Sequence, residues 1–294
     1  MKEIFKISAL FTLASFIGRW VLSEQSGLSF ALSLDFILLG IFTVILAIKD
    51  KKHNSLFPRD WKTFKLLLLA SSLELVRLSL NKVLLMKGAT LTITGQVTNI
   101  SIVLTLVYLS VHKGGERPGK LGAHSVVVYI LASLIALVAF GYTPQPISWL
   151  LIAVTSGALV AAKIVVSQVF LDKGDSSPYL GAMAATQFLA GGVIMLFSFK
   201  TKQPLPPSEY WLVAPIVLVI VAIGIKRTVV FRAEHKPQMM LYFIASEGFM
   251  VLGTQISDLV FVPDKVNLIG VFAALLAGVA TLLVSQEKKL FRNN

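Results

Sequence analysis

Charge appears where the chain is otherwise most apolar. Lys226 and Arg227 lie inside the run 210–231, Glu247 near the middle of 238–261, Lys163 in 147–171, and Glu74 with Arg77 in 63–86. A charged side chain at the centre of a bilayer costs about 2.5–3.5 kcal/mol on insertion scales, so such groups face a protein interior or a wet cavity. These residue types suit recognition of charge rather than bond-making. Lys163 and Lys226, if they converge, form a cationic pocket suited to a phosphate, phosphonate or carboxylate. Both lie in the second half of their runs, however, and a long stem can instead snorkel to the headgroups. Arg227 is open to either reading, because neighbours on a helix diverge by about 100° and only one need face inward. Glu74 and Arg77, three apart, share a helix face and either neutralise one another or meet a ligand. Glu247 at its depth is a candidate proton-coupling carboxylate, and passive exchange is equally open.

The runs that hold these residues account for most of the chain. Mean hydropathy is +0.79, with 55% hydrophobic and only 14% charged residues, against about 25% charged in soluble domains. Apolar stretches recur at 4–22, 27–49, 63–86, 89–111, 121–141, 147–171, 178–199, 210–231, 238–261 and 265–286. Each is long enough to cross a bilayer as a helix, so the pattern predicts an all-α membrane protein with ten transmembrane helices. The first stretch differs from a signal peptide, since VLSEQSG after Arg19 and Trp20 offers no small-residue cleavage site. All prolines but Pro215 fall in or beside connections, where a missing N–H does no harm.

The formal charge of +12 lies largely between the runs. Lys2 and Lys6, the 50–62 loop (Lys51, Lys52, Arg59, Lys62), the 112–120 loop (Lys113, Arg117, Lys120) and the tail (Lys288, Lys289, Arg292) are basic. The alternate loops 23–26, 142–146 and 262–264 have no Lys or Arg, and only Lys200 and Lys202 run against the trend. This bias places both termini in the cytoplasm and makes the lipid bilayer, not nucleic acid, the expected partner. A plasma (inner) membrane fits, with Golgi or ER the alternative. The absence of cysteine excludes disulfides and thiolate chemistry. The four histidines lack metal-ligand spacing, and neither a phosphate-binding glycine loop nor a nucleophile elbow occurs. No metal, no cofactor and no enzymatic activity are therefore expected.

Shifting the chain by 148 positions lays the first five runs on the last five. GERPGKLG (115–122) then falls on PDKVNLIG (263–270), and Asn99 on Glu247. Five is odd, so the second copy enters the membrane upside down. The expected division is a first five-helix repeat at 1–146 and a second, inverted repeat at 147–294. Asn99 and Glu247 then lie near the midplane on opposite sides of a pseudo-axis. Such 5+5 inverted repeats let secondary transporters expose a central site alternately to each side.

This layout, with a Gly-Glu after the fourth run leading into a glycine-started fifth, resembles the drug/metabolite transporter superfamily, and its EamA-type repeat most of all. ATLTITGQVTNISIVLTLVYLSVHKGGERPGKLGAHSVVVYILASLIALV (89–138) is similar to the end of one such repeat, and 237–284 to its second copy. The resemblance implies a cavity lined by the third, fourth, eighth and ninth helices, with the first and sixth nearby, and transport of a small polar metabolite by alternating access. Those helices offer Glu74, Arg77, Gln96, Asn99, Lys163, Lys226, Arg227, Tyr242 and Glu247 as substrate-binding residues. Their cations point to an anionic cargo, with a proton or a counter-substrate as partner. A flippase for a lipid-linked head group and an exporter of amino acids or amines are the alternatives. The small residues Gly270, Ala274 and Gly278 form one stripe on 265–286, open to a homodimer contact or to packing inside the monomer.

Overall fold

The computed structural model describes residues 1–22, 28–49, 56–58, 60–86, 90–112, 118–142, 146–171, 176–235 and 237–287. It is built of α1 (Lys2–Leu22), α2 (Leu28–Lys49), α3 (Trp61–Met86), α4 (Leu91–His112), α5 (Lys120–Gly141), α6 (Ile147–Leu171), α7 (Ser177–Lys200), α8 (Ser208–His235), α9 (Met239–Phe261) and α10 (Leu268–Ser285), with a short 3-10 turn at Pro263–Lys265. Each expected apolar run is a helix, and no end moves by more than four residues. The largest shift is at α8, which continues through Arg232, Ala233 and Glu234. These residues are polar in the first and third places yet favour helix, and Pro237 sets the limit. Among the described residues seven helices, α2 and α5 to α10, are long and apolar enough to cross a membrane, which makes this a multi-pass membrane protein. The helices α1 and α3 fall outside this group, and the apolar stretch within α4 is the shorter Gly95–Tyr108. Lys51, Lys52, Arg59, Lys113, Glu116, Arg117 and the tail from Lys288 lie outside the described residues, as do the side chains of Arg19 and Trp20.

The chain forms two compact units, and neither is one half of the sequence. Met1–Thr12, Lys87–Ala161 and His235–Asn294 make one; Leu13–Met86 and Ala162–Glu234 make the other. The first holds α4, α5, α9 and α10, the second α2, α3, α7 and nearly all of α8, while α1 and α6 contribute to both. The expected halves 1–146 and 147–294 thus each supply helices to both units. The breaks after Met86 and after Glu234 are 234 − 86 = 148 positions apart.

In the first unit the helices pair antiparallel. The Gly122 N–H at the start of α5 donates to Glu287 just past α10 (2.7 Å), and Asn267 at the start of α10 donates to the Ala139 carbonyl near the end of α5 (3.0 Å). Asn267 also caps α10 by accepting from the Gly270 N–H (2.7 Å), an orphan donor otherwise. Between these ends Ala132, Ala136, Ala139, Ala273, Ala277 and Ala280 are buried, and small side chains let the two backbones approach. Ala274 and Gly278 of the expected stripe are buried within this unit as well. Asp258 near the end of α9 accepts from the Thr92 N–H in the first turn of α4 (2.8 Å), so these two helices also run in opposite directions.

The second unit repeats the arrangement with α2 and α7. Ser33 donates to the Gly191 carbonyl (2.8 Å), and a Cβ on Gly40 would lie 3.1 Å from the Phe188 ring. The partner number falls as the α2 number rises, which is again antiparallel. The start of α3 is held by Asp60, whose carboxylate accepts from the Lys62 and Thr63 N–H groups (3.2 and 2.7 Å). Its bonds to Thr63 hold its carboxyl below the usual carboxylate range.

Close approach matters at Gly157 of α6, where a Cβ would collide with the Thr98 carbonyl of α4. A main-chain oxygen cannot turn aside as a side chain can. Gly157→Ala is expected to cost about 1–3 kcal/mol by overpacking, read as a lower midpoint of thermal unfolding in detergent; an unchanged midpoint would contradict the contact.

Candidate functional site

Each unit carries a polar cluster in its interior. In the second unit Glu74 sits at the midpoint of α3. The exposed face of this helix runs through Lys65, Leu69, Ser72 and Val76, whereas Leu67, Ala70, Ser71 and Glu74 lie on the buried one. Glu74 is only 5% exposed. Arg77, one turn on, grips it with both arms of the guanidinium, Nη2 to Oε1 at 2.9 Å and Nε to Oε2 at 3.1 Å. Lys163 of α6 brings its ammonium to Oε2 at 2.8 Å. The two cationic side chains are 28% and 20% exposed against 6% for the carboxylate. The expected Glu74–Arg77 pair is therefore present, with Lys163 as a third member. Lys163 thus has a carboxylate for a partner, which an ammonium in an apolar helix favours.

In the first unit the amide of Asn99 (α4) donates to the Tyr129 hydroxyl (α5) at 2.9 Å and to Glu247 Oε2 (α9) at 3.3 Å. Asn99 and Glu247 are 148 positions apart. Tyr129 is fully buried and meets Phe243 edge-on, ring centroids 6.4 Å apart. Gly157 seats α6 against the carbonyl next to Asn99, so the cluster lies where four helices of the unit are in contact.

The remaining expected residues divide by burial. Gln96 is wholly buried, its amide donating to the Ala273 carbonyl of α10 (3.0 Å), which is a packing role. Tyr242 is buried on α9. Lys226 is half-buried and Arg227 exposed, as the divergence of neighbouring helix positions requires. Sequence reasoning missed Tyr129, one of several hydroxyls in its apolar run, and Arg232, which is buried on α8 with Nη2 at 3.3 Å from Ser167 Oγ. Asp35 is hydrogen-bonded by the Tyr210 hydroxyl beside a cavity of about 40 Å³. Among the described residues no His, Asp and Glu side chains gather in a group able to hold a metal ion.

No family model matches the chain. No curated protein matches it either. Among solved structures 25 chains match. One of them, described only as "Crystal structure of protein", superposes with a TM-score of 0.69 over 96% of this chain and 95% of its own at 14% identity. At that identity the likeness speaks to the fold alone, and it extends over nearly the whole chain.

Removing the carboxylate would leave Arg77 and Lys163 facing one another with no anion between. Glu74→Ala is expected to destabilise the protein by about 3 kcal/mol, the low end for a buried pair because both cations can partly rehydrate. The double variant Glu74→Leu with Lys163→Leu should lose less than the sum of the two single changes in thermal unfolding; strict additivity would mean the bond contributes nothing.

Proposed function

We propose that this protein is a secondary transporter moving a small polar, anionic metabolite across the membrane by alternating access, with the EamA-like 5+5 architecture of the drug/metabolite transporter superfamily that its sequence resembles. The observation that carries the proposal is the Glu74–Arg77–Lys163 cluster at the middle of a long helix. A protein with only a structural need for these helices would place leucine there, since charge at that depth is expensive. Two cations drawn to one carboxylate suit the capture of a second anion. The reading is of a carrier and not an enzyme: these groups bind charge, and no reacting bond needs them.

An inverted repeat is supported by contacts that respect the 148 offset. Two positions related by a twofold axis can touch only if both lie at the axis. Asn99 and Glu247 are such a pair, and so are Gly40 and Phe188. At the ends of α5 and α10, Gly122 meets Glu287 and Asn267 meets Ala139, and 287 − 139 is again 148. Two nearly equivalent halves of opposite orientation are what alternating access needs, because exchanging their conformations turns an inward-open state into an outward-open one. With the positive loops inside, both termini are cytoplasmic in this reading.

The test is counterflow in proteoliposomes, using labelled sugar phosphates, nucleotide sugars, amino acids and amines. At least one anionic compound is expected to exchange, and Arg77→Ala to slow it about tenfold or more through loss of a charged hydrogen bond. Absence of flux for every compound, or flux of amines alone, would overturn the proposal.

A further inference from the structure

The three bonds to Glu74 are not equivalent. Arg77 alone occupies both carboxylate oxygens in the two-pronged geometry that satisfies a carboxylate. It lies on the same helix three residues away, so this pair travels as a unit whatever neighbouring helices do. Lys163 comes from α6 and shares Oε2 with the Arg77 Nε. Glu74 therefore keeps a complete partner when Lys163 leaves, whereas Lys163 needs another anion to leave for. The Lys163 side chain is also the more open of the two, 20% exposed against 6% for Glu74.

We infer that Lys163 is the cation that binds the anionic group of the cargo, and that Glu74 holds Lys163 in place when the cargo is absent. The inference rests on the transport reading and narrows it: the ligand presents one carboxylate or phosphate group to one ammonium. Binding moves Lys163 from Glu74 to the cargo and loosens the link between α3 and α6. Glu74 stays neutralised by Arg77, so neither state leaves that carboxylate bare inside the membrane, which is the arrangement the cost of buried charge demands. In this scheme Glu74 competes with the cargo for Lys163.

Competition makes an unusual prediction. Binding is measured by titration calorimetry on the full-length protein in nanodiscs, with lactate and glycerol phosphate as probes and choline as the cationic control. Either anion or both should bind, and choline should not. Lys163→Met, which leaves the Glu74–Arg77 pair intact, should weaken anion binding about tenfold or more, and Lys163→Arg should restore it. Glu74→Gln should tighten binding about tenfold, because the competitor is gone. A merely structural carboxylate would make that variant bind more weakly or unchanged. Should Glu74→Gln fail to fold, Glu74→Asp draws the carboxylate back by one methylene and must also tighten binding. Anion binding indifferent to Lys163→Met, weaker or unchanged binding in the folded Glu74 variant, or no binding of either anion to the wild type would overturn the inference. Flux with binding indifferent to Lys163 removes this site and leaves the carrier; Lys163-dependent binding without flux removes the carrier and leaves the site.

Discussion

A charged carboxylate halfway along a membrane-length helix is costly without a cation, and the interior of the second unit is arranged around that constraint. Glu74 meets it locally through Arg77 and again through Lys163. The local bond needs only helix geometry, since residues three apart lie one above the other. The second bond needs α6 to bring Lys163 to the buried side of α3. One interaction thus ties a local feature of sequence to a tertiary arrangement.

Antiparallel helix pairs supply the frame. The pairs α5 with α10 and α2 with α7 are lined with alanine, glycine and serine, so their backbones come close and main-chain carbonyls become partners for side chains, as Ser33 finds at Gly191. In a bilayer there is no hydrophobic gain in bringing two apolar helices together, and close packing with a few polar contacts takes its place. The helix ends are handled in the same way. Asp60, Asp258, Asn267 and Glu287 each accept main-chain N–H groups in a first turn, donors that would otherwise remain unsatisfied.

Much of this is legible from the residues alone, for physical reasons. Helix limits can be read because the bilayer reduces folding to one dimension, in which hydropathy, proline and loop charge are sufficient. The Glu74–Arg77 pair can be read because three-residue spacing is a geometric statement. Asn99 and Glu247 are singled out together by the 148 shift, although the shift does not say that they touch. Lys163 joining Glu74 is invisible at this level: the two are far apart in sequence and no period links them. The same holds for Tyr129, whose hydroxyl is one among several in apolar runs until α4 and α5 are packed together. The compact units are also hidden, because the expected repeat divides the sequence into halves while packing unites α4 and α5 with α9 and α10.

In the proposed inverted repeat the two halves cross the membrane in opposite senses. Phe57 and Leu205 are exposed and stand 148 positions apart, at the α2–α3 and α7–α8 connections. The chain has no native cysteine, so a single Phe57→Cys or Leu205→Cys would be its only thiol. Labelling intact cells with a membrane-impermeant maleimide should modify the cysteine at 205 at once and the cysteine at 57 only after permeabilisation. Equal labelling of both from the outside, or protection of both, would contradict the inverted arrangement.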